Sequence, residues 1–253
     1  MSLYLTRLLL NPHSRRVISE VNHPYEMHRT LMRAFAGAAD DTGARAQFGV
    51  LFRAETDERL KIVRVYVQSE VEPDWSFLHE CNGYLLTGGE MDPCEYRDMT
   101  PALRAIQGGR VLAFRLRANP TKRVWNPHDV LRGKRVELQR EEEQVAWLAR
   151  KGQGGGPGVS GGFELVCADD EQGSASVPRV SVRCEGKRMG RKKDLAGGHI
   201  TTHLSVVFDG LLRVTDDEAF VTTLRGGIGS AKAYGFGLLS LAPPNGSSAG
   251  RVA

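Results

Sequence analysis

The order in which two hydrophobic periods succeed one another along the 253 residues constrains the fold more than any other feature. Residues 3–10 alternate as a first strand, and a helix follows from Pro24. Residues 47–54 and 60–68 form an antiparallel pair around the turn-prone stretch 55–58. In the second of these, Val63, Val65 and Val67 alternate with Ile62, Arg64 and Tyr66, the two-residue period of a strand. Asp74 is placed to cap a short helix over 75–80. Residues 111–117 make a strand with Arg115 and Arg117 on one face and Leu112, Phe114 and Leu116 on the other. The order is βαββαβ.

The second half repeats this order. Residues 141–151 form a helix, with three glutamates in the first turn, basic residues in the last and Gly152 after it. The stretch 152–162 holds seven glycines and is expected to be a flexible loop rather than a phosphate cradle. Residues 163–167 and 177–184 are expected strands, with a turn-rich interruption at 169–175. The pair 204–208 and 211–214 flanks Asp209-Gly210, a two-residue hairpin signal. Asp216 or Asp217 caps a helix running to Leu224, which Gly226 ends, and 236–241 is a last strand. The fold class is therefore α+β, with two tandem ferredoxin-like (βαββαβ, RRM-like) domains. They are expected at 1–118 and 119–244, followed by a disordered tail at 245–253.

Charge is unevenly spread. Between Arg179 and Lys193 seven basic residues (Arg179, Arg183, Lys187, Arg188, Arg191, Lys192, Lys193) face one acid, Glu185, so this segment alone carries +6. The whole chain carries +4, which leaves the remaining 238 residues at about −2. Concentrated positive charge points to a polyanionic partner; the bland alternative is a solvated basic loop. No stretch approaches about 20 apolar residues, so no membrane span is expected. In the first sixteen residues the arginines follow the apolar run, the wrong order for a secretory signal. Cys81, Cys94, Cys167 and Cys184 are widely spaced with no CxxC pair, as reduced thiols in a cytoplasmic protein would be.

Residues 22–35, NHPYEMHRTLMRAF, bring Tyr25, His28 and Arg29 together on one helix. Asn22 suits an N-cap, and Pro24 suits a first turn. Met27, Leu31, Ala34, Phe35 and Ala38 fall on the side to be buried. His28 sits at the border of that stripe, while Tyr25, Arg29 and Arg33 point away from it. An imidazole, a phenol and guanidiniums on one helix edge can handle a hydroxyl and a phosphate. The alternative is an ordinary amphipathic helix with a boundary histidine.

Other motifs resolve by context. In GGIGSAKAYGFG (226–237) the sixth position of the GxGxx pattern is Lys232, and the loop follows a helix and precedes a strand, the reverse of dinucleotide and Walker sites. What remains is a glycine-rich turn whose amides and Lys232 suit a phosphate backbone, or a plain connection. His199 and His203 lie in strand-like sequence, and no clustered Cys/His ligands or HExxH occur, so a metal site is not expected; nor is a serine hydrolase. Trp75, Trp125 and Trp147 are single aromatics in separate elements, for which core or interface packing is expected. The base-stacking signature of RNA-recognition motifs is also missing from the strands.

Taken together, six segments resemble one family: the CRISPR repeat-processing endoribonucleases of type I-E (Cascade) systems, often called CasE, of the repeat-associated RNA-binding (RAMP) superfamily. They are LYLTRLLLNP (3–12), NHPYEMHRTLMRAF (22–35), EPDW (72–75), FRLRANPTKRV (114–124), EQVAWLARK (143–151) and GIGSAKAYGFGLLSLAPP (227–244). They run in the family's order across nearly the whole chain. The resemblance implies tandem ferredoxin-like domains, recognition of the CRISPR repeat RNA hairpin, and cleavage at the 3′ base of its stem without metal or other cofactor. It also implies that the protein stays with the mature guide RNA among the other Cascade subunits. Its catalytic histidine falls on His28 and its nearby tyrosine on Tyr25. Its glycine-rich loop falls on 226–237, and its stem-gripping basic hairpin on 179–193. The candidate RNA contacts are Arg29, Arg33, Arg115, Arg117, Lys122, Arg123, Arg183, Lys187, Arg188, Arg191, Lys192, Lys193 and Lys232.

These residues suit that chemistry. RNA brings its own nucleophile, the 2′-hydroxyl, which must be aligned with the scissile phosphate. A base takes its proton and an acid protonates the leaving 5′-oxygen; His28 can take either part, with Tyr25 positioning the hydroxyl. Arg29 or Arg33 offsets charge on the phosphorane. The competing readings are a noncatalytic RNA-holding subunit and a nucleotide-dependent enzyme using the 226–237 loop.

Overall fold

In the computed structural model, the described residues are 2–35, 47–89, 91–125, 134–154, 161–168, 177–194 and 197–244, with backbone alone for 191–194 and 197–200. The first alternating segments pair as the two-residue period demands. Strands β1 (Tyr4–Leu10), β2 (Leu51–Asp57), β3 (Ile62–Ser69) and β4 (Cys94–Asp98) form an antiparallel sheet in the order β2-β3-β1-β4. Leu8 faces Val65 and Leu10 faces Val63 across the β1–β3 ladder. That face is covered by α1 (Arg15–Asn22), α2 (Pro24–Met32) and α3 (Ser76–Glu80), whose Val17, Met27, Leu31 and Leu78 join the same core. Burying each such side chain stabilises the fold by about 1.5–3 kcal/mol. Buried Thr6 lies on the same face, and its hydroxyl accepts the Trp75 indole N–H at 3.2 Å.

After α4 (Thr100–Arg104), β5 (Val111–Ala118) lies at the centre of a second antiparallel sheet, between β12 (Gly197–Val214) and β13 (Leu239–Ala242). On the outer side of β12 lie β8 (Phe163–Leu165) and β11 (Val180–Asp194). Helices α5 (Glu141–Gly152) and α6 (Asp217–Gly226) supply the crossovers, and Asp216 caps the latter by accepting the Ala219 N–H at 2.8 Å. Two small ribbons complete the chain: β6 (Thr121–Val124) with β7 (Lys134–Glu137), and β9 (Cys167–Ala168) with β10 (Val177–Pro178).

Both main sheets thus carry the βαββαβ strand order, and the tandem ferredoxin-like reading holds. The chain divides into two compact units. One comprises Met1–Ala105, Arg188–Thr202 and Ala231–Leu238; the other comprises Ile106–Lys187, His203–Ser230 and Leu239–Ala253. Among the described residues no helix is long and apolar enough to cross a membrane. The four cysteines are free thiols.

Four local expectations are corrected. Residues 111–117 do not close the first sheet: β4 does, pairing with β1, and β5 opens the second. Asp209-Gly210 is no hairpin turn, because β12 runs through it, with Asp209 opposite Arg115 and Gly210 opposite Phe114. A Cβ at Gly210 would crowd the Arg179 carbonyl, so this glycine serves a close strand approach. Asn22 ends α1 instead of capping α2, whose N-cap is His23. Finally, 177–184 is not one strand: Val177–Pro178 pairs with β9, and Val180 begins a far longer strand, β11. The expected tail at 245–253, most of the glycine-rich loop (155–160) and Ala38 lie outside the described residues.

Candidate active site

Helix α2 starts at Pro24, whose fixed φ suits a first helical position, and buries Met27, Leu31 and Met32. This rotation leaves His28 and Tyr25 half-buried at its edge and Arg29 exposed. The Tyr25 and His28 rings are 6.0 Å apart. His28 is stacked on Phe52 of β2, at 6.2 Å and 7° between planes, so its imidazole is held flat against the sheet edge.

A third element completes this cluster. The glycine-rich loop makes a 3₁₀ turn at Lys232–Tyr234, packed against α2 and β2. Ala231 enters it at φ 60°, a left-handed conformation that costs a non-glycine residue about 1 kcal/mol, and Gly235 leaves it at φ 80°. A Cβ at Gly235 would stand 3.2 Å from the Phe52 ring, so glycine is required there for both conformation and fit. The turn sets the Tyr234 ring 5.7 Å from Tyr25. On its other side, the Tyr234 hydroxyl lies 3.2 Å from Thr201 Oγ1, which is itself 3.3 Å from the Gly190 carbonyl oxygen. A Cβ at Gly190 would overlap the Tyr234 ring. Four segments far apart in sequence therefore converge on one aromatic cluster, with half-buried Lys232 beside it.

Behind α2 is a buried polar brace. Glu20 of α1 accepts from Arg16 Nε (2.9 Å), Thr30 Oγ1 (2.7 Å) and the Tyr84 hydroxyl (2.6 Å), and Arg16 also donates to Thr30 at 3.0 Å. Burial, followed by the Glu20 charge, pushes the Tyr84 phenol well above its usual range, so it stays a donor. This network ties α1 to the helix that carries His28 and Tyr25.

The expected RNA contacts separate into distinct environments. Arg29 is exposed and paired with Glu26 at 3.2 Å, while the Arg33 guanidinium lies 4.4 Å from the Phe77 ring centroid. Arg188 and Lys232 belong to the same unit as His28. In the other unit Arg115 is paired with Asp209 at 2.6 Å and Lys122 with Glu143 at 3.0 Å; Arg123, Arg183 and Lys187 are exposed. Arg117 is corrected: it is buried, and Glu185 accepts from its Nε and Nη2 at 2.8 and 3.0 Å, which commits the guanidinium to a structural ion pair. The side chains of Arg191, Lys192 and Lys193 lie outside the described residues. The sequence reading missed Phe52, Tyr234 and Thr201, of which only Tyr234 stood in a segment already singled out.

A family model described as "CRISPR associated protein" matches residues 3–243. The chain is 39% identical over 243 residues to the CRISPR-associated endoribonuclease Cse3 of Thermus thermophilus, covering 95% of this chain and all of that one. It is 36% identical over 144 residues to the Cascade subunit CasE of Escherichia coli, covering 54% of this chain and 61% of that one. Among solved structures, Thermus thermophilus Cse3 bound to an RNA representing a pre-cleavage complex superposes with a TM-score of 0.71. It is 35% identical, with 96% of this chain and all of that chain covered.

Proposed function

The chain belongs to the CRISPR-associated protein family, and from that premise we propose that it is the endoribonuclease that processes precursor CRISPR RNA in a type I-E system. It binds the repeat hairpin, cuts at the 3′ base of the stem and remains with the mature guide among the Cascade subunits. The observation that carries this reading is the convergence of Tyr25, His28 and the glycine-rich turn within one unit of the fold.

The cut is metal-independent. His28, held in plane by Phe52, exchanges the proton of the 2′-hydroxyl or of the leaving 5′-oxygen, and Tyr25 aligns the attacking hydroxyl. As the 2′-oxygen bonds to phosphorus, the bond to the 5′-oxygen breaks. Lys232 and Arg29 offset the charge that gathers on the phosphorane oxygens. Tyr234 positions Tyr25 by closing its far side. Arg183, Lys187, Arg188, Arg191, Lys192 and Lys193 grip the stem phosphates from the β11–β12 hairpin. Arg33, Arg115, Lys122 and Arg123 are further phosphate contacts.

The ends of the products test this route. Internal attack leaves a 2′,3′-cyclic phosphate and a 5′-hydroxyl, which mass spectrometry of the two fragments distinguishes from the 3′-hydroxyl and 5′-phosphate of hydrolysis by an activated water. Neutralising Arg191, Lys192 and Lys193 together lowers the dependence of log K on log salt by about 0.7–0.9 per lost contact. An unchanged slope counts against this hairpin as the grip.

A further inference from the structure

The β6–β7 ribbon opposes two arginines: Arg123, a candidate phosphate contact, and Arg135, to which no role has been given. Its register sets Arg123 directly across from Arg135, both exposed. Like charges directly opposite on a ribbon destabilise it, so an anion lying over the pair offsets a cost that the bare ribbon bears. The local surroundings add positive charge. Burial above all lowers the pKa of Lys151 and of His203, and the charge of nearby Arg135 lowers both further. The nearby acid Glu137 is already engaged, accepting the Leu204 N–H at 2.7 Å and lying 3.9 Å from Lys187.

The same strand runs into Trp125, 75% exposed, whereas Trp75 and Trp147 are each 4% exposed. Arg123 and Trp125 are two apart, the spacing that puts side chains on one face of an extended chain. Among the described residues the exposed apolar side chains of the ribbon are Val124, Trp125 and Val136. Two guanidiniums and an indole on one face match a phosphate flanked by an unstacked base.

We propose that the β6–β7 ribbon is a subsite for single-stranded RNA, with a phosphate between Arg123 and Arg135 and the adjoining base stacked on Trp125. This rests on the RNA-processing reading and extends it from the repeat hairpin to the unpaired nucleotides that flank it. The hairpin stem cannot occupy such a site, because its bases are already stacked on one another.

The test uses the full chain and two RNAs: the bare repeat hairpin, and the same hairpin with eight unpaired nucleotides on each side. Both carry a 2′-deoxy sugar at the cut, so binding is read without turnover. The extended RNA should quench tryptophan emission in the wild type and not in Trp125→Phe, since the other two indoles are buried. Trp125→Ala should weaken the extended RNA about tenfold and leave the bare hairpin within about twofold, as should Arg135→Ala. An equal loss on both RNAs would overturn the proposal and make the ribbon part of the stem grip. No loss on either would also overturn it and leave the ribbon to an acidic protein partner. If the wild type fails to bind even the bare hairpin, the RNA-processing reading itself falls; retained hairpin binding without any Trp125 effect removes only this subsite.

Discussion

The two sheets share one strand order but make different use of the first crossover. In the second sheet that crossover holds one long helix, α5, whose buried face is Gln144, Trp147 and Leu148. In the first it is broken at His23 into α1 and α2 and braced from behind by buried Glu20. Only the broken crossover presents a histidine and a tyrosine at its edge. The shared fold alone therefore does not place such a pair; a short, polar-braced helix beside a sheet edge does.

The largest effect that tests this contrast is on turnover. His28→Ala should lower the cleavage rate by about 10²–10⁴-fold in single-turnover assays while leaving hairpin affinity within about twofold. The matching probe in the other crossover is Gln144→Ala, which removes the bond from Gln144 Nε2 to the Leu138 carbonyl (2.9 Å). It should cost about 1–3 kcal/mol in urea unfolding and leave the cleavage rate of the folded protein unchanged. Normal cutting by His28→Ala would erase the distinction between the two crossovers.

Next is the brace. Glu20→Ala strands the buried hydroxyls of Thr30 and Tyr84 and unpairs Arg16, and should cost about 3–5 kcal/mol of stability. Tyr84→Phe removes a single bond to that carboxylate and should cost about 1.5–3 kcal/mol. Unfolding midpoints close to wild type in both variants would show that α2 is held by its apolar face alone.

A smaller effect is expected at Tyr234. Removing its hydroxyl in Tyr234→Phe loses one hydrogen bond, worth about 1 kcal/mol, so cleavage should slow by no more than about fivefold. Tyr234→Ala also removes the ring beside Tyr25 and should slow cleavage further, with hairpin affinity kept. Equal rates in all three proteins would free Tyr25 from any dependence on the glycine-rich turn.

The smallest effect is on pH. Burial holds the His203 imidazole below its usual pKa. The unfolded chain then binds the extra proton first, so the stability owed to neutral His203 is present above about pH 6.5 and is lost as pH falls through the lower, folded value. Replacing His203 with Asn should flatten the acid side of the stability curve, with a change in slope under one proton.

Strand alternation, the terminal charges of α5, the Asp216 cap of α6 and the apolar stripe of α2 were legible because each is a local pattern. Helix α1 was not: its buried residues are Val17 and Glu20, and a glutamate buried by partners 10 and 64 residues away looks like surface in sequence. β4, CEYRD, has no apolar alternation to announce it and is an edge strand of half-exposed and exposed residues. The Asp209-Gly210 signal was overruled by long-range pairing to β5. Arg117 was correctly placed on one face with Arg115, but alternation does not say that Glu185 waits over that face. In the candidate site the sequence offered Tyr25 and His28 as helix neighbours. Phe52, Thr201 and Tyr234 come from segments whose convergence depends on tertiary packing.

The central claim is that this chain cuts RNA by internal 2′-hydroxyl attack, and one experiment addresses it directly. End-labelled repeat hairpin RNA is incubated with the protein in excess EDTA, beside the same RNA with a 2′-deoxy sugar just upstream of the break. Internal attack predicts that the first is cut at the 3′ base of the stem and the second survives intact. Cutting of the deoxy substrate, or no cutting of the normal one until a divalent metal is restored, would contradict it.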